Sequence, residues 1–70
     1  MRLLHYGDVV NLTDEKQGFR DIHAVVIHQN TENCQVAFRI IANEYIGQTT
    51  YITHRNNVKN ILGHYDGQIF

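Results

Sequence analysis

Apolar and polar positions alternate along most of this chain, and helical spacing is rare. In "HYGDVVNL", residues 5 to 12, Val10 and Leu12 share one face while Val9 and Asn11 share the other. A period of two predicts a strand. The next eight residues, "TDEKQGFR", are polar and contain a glycine, which predicts a loop. "DIHAVVIHQN", 21 to 30, is the clearest strand, with β-branched residues at 25 to 27 and both faces apolar. His23, Val25 and Ile27 lie on one face, and Ala24 and Val26 on the other. "NTEN", 30 to 33, carries turn chemistry. "CQVAFRII", 34 to 41, alternates again, with Cys34, Val36, Phe38 and Ile40 inward and Gln35, Ala37 and Arg39 outward. Residues 21 to 41 therefore predict a β-hairpin.

The continuation "ANEYIG" supports two readings. A long bent strand can run to Ile46 and turn at Gly47-Gln48, the preferred reading because "TTYITH" at 49 to 54 is strand-like. Alternatively, Phe38, Ile41, Ala42 and Tyr45 satisfy a helical spacing. In "NNVKNILG", Asn56 or Asn57 suits a helix start and Gly63 a left-handed C-cap, with Val58, Ile61 and Leu62 between them forming one stripe. A short helix or 3₁₀ turn is expected there. The tail from 63 to 70 ends in Ile69-Phe70, either frayed or an apolar hook onto a neighbouring surface.

Composition narrows the class. Seventy residues make one small domain, with a barrel expected over 6 to 62 and the tail beyond it. Met1, the one methionine, reads as the initiator of a complete small protein. A single cysteine, Cys34, excludes an internal disulfide and, with no secretory leader or long apolar run, points to the cytoplasm and away from a membrane. Six basic residues against seven acidic ones argue against general duplex binding, which needs a dense cationic footprint.

The order of strands, a polar loop after the first, hairpins and a closing helical turn resembles an SH3-like small β-barrel of four to five antiparallel strands. "GDVVNL", the "HAVVIHQNTENCQVAF" hairpin and "TYITHRNNVKNI" carry the resemblance, the last being similar to the closing strand and 3₁₀ turn of KOW-type modules. The resemblance covers most of residues 6 to 62. It implies an all-β fold commonly used for binding, and it transfers no active-site residue.

The chemistry-bearing residues support the same class. The five histidines raise the prospect of a metal site, but no H-x-H or H-x-x-x-H spacing or cysteine pair accompanies them, and His23 and His28 are expected on opposite faces. Neither a metal nor a cofactor is expected. Cys34, expected inward, lacks the setting of a nucleophile, and no enzyme activity is expected. Arg39, Tyr51, His54, Arg55 and Asn57 form the candidate ligand site, able to grip a nucleotide or single-stranded nucleic acid through cations, amides and a stacking ring. Arg20 and Lys59 could join them, with Phe19 or Tyr45 as further stacking faces. Val9, Val25, Ile27, Ile41, Ile69 and Phe70 form the candidate interface, because the apolar surface exceeds what one small barrel hides. The first expectation is a binding module that docks on and inhibits or regulates a host protein, as a bacterial or bacteriophage accessory protein would. Self-association as a homodimer or larger oligomer accompanies it. An oligomer binding nucleotide or nucleic acid is the alternative.

Overall fold

A computed structural model describes residues 3 to 65, and among these the chain is all-β with no α-helix. The strands are β1 (Asp8–Asp14), β2 (Phe19–Asn30), β3 (Gln35–Ala42), β4 (Tyr45–Ile46), β5 (Tyr51–His54) and β6 (Val58–His64). Two 3₁₀ turns interrupt them, Glu15–Gln17 and Arg55–Asn57. All pairings are antiparallel, in the order β4-β3-β2-β1-β6 with β5 also paired to β3, so the sheet is open in its pairing. Six strands form where four to five were expected. Among the described residues no helix is long and apolar enough to cross a membrane.

The period of two sets the core. In β1 every second residue is buried, so Val10 and Leu12 meet Ala24 and Val26 of β2 and Val36 and Phe38 of β3. Phe19 and Tyr51 extend this core as an aromatic trio with Phe38: the Phe19 ring stands edge-on to Tyr51 at 5.0 Å and to Phe38 at 5.8 Å, and Tyr51 stacks on Phe38 at 5.8 Å. Such arrangements favour the ring quadrupoles. Val25, whose alternation sends it to the opposite face, is also fully buried.

Several expectations are corrected by local backbone. Residues 42 to 46 are neither a continuous strand nor a helix. Asn43 and Glu44 both take positive φ (51° and 67°), which turns β3 back into β4 with Ala42 opposite Tyr45. Two consecutive left-handed residues are what a tight hairpin of the I′ kind demands. Cys34 does not point inward: it sits at φ 53° in the turn before β3, exposed, with its carbonyl accepting the Arg55 N–H at 2.7 Å. Nor do Val58, Ile61 and Leu62 form a helical stripe. The 3₁₀ turn ends at Asn57, and residues 58 to 64 pair with β1 through two register shifts. Gly63 and His64 thus belong to β6 and not to a tail.

His23 and His28 also change sides. Ile27 is a bulge between Val26↔Phe38 and His28↔Ala37, so His23 (opposite Ile41) and His28 (opposite Ala37) share a face. They still lie four partner residues apart, about 13 Å at the strand rise, too far to share one ion. The region 13 to 20 is more ordered than a loop. β1 runs to Asp14, the chain makes one 3₁₀ turn, Gly18 supplies the left-handed residue (φ 82°), and β2 begins at Phe19.

Candidate functional site

The end of β1, the first 3₁₀ turn, β5 and the second 3₁₀ turn come together around an open groove of about 720 Å³. A chain of side-chain hydrogen bonds makes its floor. The Asn57 amide donates to the Thr53 hydroxyl at 2.8 Å, and that hydroxyl donates to Asp14 Oδ2 at 2.7 Å. The Gln17 amide donates both to the same carboxylate oxygen at 2.7 Å and to the Ile52 carbonyl at 2.9 Å. Residues 39 apart in sequence are thereby tied at one point. The Gln17 amide first, then the Thr53 hydroxyl, holds the Asp14 carboxyl below its ordinary value, against a smaller opposing push from burial.

Local structure explains each position. Alternation in β5 turns Tyr51 and Thr53 inward and leaves Ile52 and His54 outward. His54 caps the second 3₁₀ turn, its Nδ1 accepting the Asn56 N–H at 3.0 Å. In the neutral ring that bond leaves the proton on Nε2. Across β3, His54 sits opposite Gln35 and Ile52 opposite Ala37. Ile52 is 56% exposed, and it lines both the groove and a smaller depression of about 140 Å³ shared with His28 and Asn30.

Of the expected ligand residues, the structure brings His54 and Asn57 into the groove. Arg55 lies on the same 3₁₀ turn without lining the groove. Arg39 is on β3 and donates from Nε to the Thr50 hydroxyl at 3.3 Å. Tyr51 and Phe19, both half-buried, are engaged in the aromatic trio and neither lines the groove. Arg20 lies against Glu15 at 3.4 Å, both exposed. Lys59 does line the groove, and so do Asp14, Lys16, Gln17, Thr53 and Ile52, which the sequence reading had not placed in a site. The alternation of "TYITH" carried a signal for Ile52, since a tyrosine and a threonine facing in leave the isoleucine facing out.

Of the expected interface residues, Val25 is enclosed by its own chain and offers nothing to a partner. Val9, Ile27 and Ile41 are half-buried. Ile69 and Phe70 lie outside the described residues. Among the described residues the large apolar side chains that stand exposed are Leu3, Tyr6, Tyr45, Ile52 and Leu62. Among the described residues no three histidine, cysteine, aspartate or glutamate side chains gather as a metal site would require. Comparison with known proteins returned no matching family model, curated protein or solved structure.

Proposed function

We propose that the chain is a non-enzymatic binding module with an SH3-like small barrel architecture, which docks on another protein and modulates it through the groove beside Ile52. The strand order, with a 3₁₀ turn before the last strand and β6 brought back onto β1, supports the architecture. The observation that carries the docking is the exposed Ile52, flanked by groups able to form hydrogen bonds, Gln35, His54 and Asn57, over a floor fixed by its own hydrogen bonds. A central apolar anchor within a polar rim is the usual composition of a protein contact. The nucleotide reading loses support because Arg39, Arg55 and Tyr51 do not line the groove, Tyr51 being packed in the aromatic trio.

Affinity capture with Ile52→Thr as the control tests this. Threonine keeps the β-branched stem and its strand propensity while removing apolar area. Wild-type protein should retain one stoichiometric protein after nuclease treatment, and Ile52→Thr should lose it. Retention that nuclease abolishes, or that Ile52→Thr leaves untouched, rejects the reading. Sedimentation of the purified chain shows whether a second copy is that partner.

A further inference from the structure

The sheet is open, so β4, β5 and β6 each present an edge with no strand beyond it among the described residues. The backbone N–H and C=O groups of such an edge are a template for another strand, and natural sheets blunt them. Each edge here is altered in its own way. β4 has two residues, too few to seat a strand. On β5 the phase of the ladder is fixed by the Arg55 N–H, which donates to the Cys34 carbonyl. Residues of an antiparallel strand alternate in direction, each turning its N–H and C=O to the same side. Tyr51 and Thr53 therefore face β3 with their backbones, and Ile52, opposite Ala37, turns both of its groups away. The Gln17 side-chain amide meets that outward carbonyl at 2.9 Å. It stands where the N–H of a next strand would stand. On β6 the pairing with β1 skips Lys59 and Leu62, both exposed. Such bulges bend a strand and break the even spacing of its outward groups, and Lys59 adds a charge to the longest free edge.

We infer that these features are a built-in guard against strand addition, which keeps the open sheet from pairing edge to edge with further copies of the chain. Gln17 is a side-chain substitute for the missing strand at β5. Lys59 and Leu62 deny a regular ladder at β6. The guard is independent of what the groove docks: it implies only that Ile52 meets a partner through its side chain and not by extending the sheet.

Sedimentation across a concentration series, with hydrogen exchange of single amides by NMR, tests the inference on three variants. Gln17→Met keeps the length of the side chain and removes the donor. Lys59→Val removes the charge and raises strand propensity at an exposed position. Thr53→Val is the control, since it loosens the same hydrogen-bond chain and leaves Gln17 on the Ile52 carbonyl. Gln17→Met and Lys59→Val, folded by circular dichroism, should gain mass with concentration to about double the wild-type value or more. The Ile52 amide should become protected in Gln17→Met, and outward amides of β6 in Lys59→Val. Should Gln17→Met unfold, Lys59→Val decides alone. Folded variants that stay at wild-type mass overturn the inference. So does growth no greater than that of Thr53→Val, growth without protection of the edge amides, or a wild-type chain that already pairs through β5 or β6.

Discussion

Thr53 donates its hydroxyl to Asp14 and accepts from Asn57, so one buried side chain joins β1, β5 and the second 3₁₀ turn. Its bond helps hold the Asp14 carboxyl below its ordinary value, after the larger effect of Gln17. A carboxyl depressed in the folded state adds stability above its unfolded value, about pH 4, and that contribution is lost as pH falls through the folded value. Thr53→Val keeps the shape and deletes the hydroxyl. Its melting temperature should fall well below wild type at pH 7, and the gap should narrow as pH falls through the lowered folded value of Asp14. A gap independent of pH would separate Thr53 from the Asp14 charge. Phe38 tests the interior in the same way. It is fully buried between Phe19 and Tyr51, so Phe38→Ala should cost about 3–5 kcal/mol. A chain of this size has roughly 4–10 kcal/mol in total, so urea titration should find the variant largely unfolded or close to it.

At the scale of elements, the hairpin at Asn43-Glu44 makes a sharper demand. Both residues sit at positive φ, and glutamate gains nothing there that offsets the crowding of its Cβ. Glu44→Gly gives the asparagine-glycine pair that such a turn favours. It should stabilise the chain by about 0.5–1 kcal/mol, the strain removed exceeding the entropy that glycine adds to the unfolded state, as a denaturation midpoint would show. This turn also marks where sequence reading stops. The regular strands were legible: β1, β3 and β5 emerge from alternation, because one buried face imposes it, and β2 from its β-branched run at 25 to 27. Three elements were hidden by local irregularities. A two-residue turn without glycine concealed β4, a bulge at Ile27 moved His28 to the other face, and two register shifts let Val58 and Ile61 both face the core at a spacing that imitates a helix. Each is a departure of one or two residues from the regular repeat, compensated by pairing with a partner strand that a linear pattern does not contain.

Over the whole molecule, the groove was legible only in fragments. His54 and Asn57 stood out through their neighbours in sequence, but Asp14, Lys16, Gln17 and Ile52 reach them only once the sheet brings the end of β1 against β5. The same folding separates the exposed apolar residues. Tyr45 stands on β4, Leu62 on β6 at the opposite end of the strand order, and Ile52 on β5 at the groove. If apolar exposure alone drove association, replacing any of the three should weaken partner capture comparably. The docking reading expects selectivity. Ile52→Thr gives up roughly 1 kcal/mol or more of apolar burial in the complex, about a tenfold loss of affinity, while its effect on the free chain stays small because the side chain is already in water. Tyr45→Lys and Leu62→Lys should leave capture within about twofold of wild type, since surface changes away from the contact carry little energy. Titrating the captured partner against all three variants and comparing dissociation constants decides it. Equal losses at all three positions would show general stickiness in place of a site, and a loss confined to Leu62→Lys would move the contact from the groove to the open edge of β6.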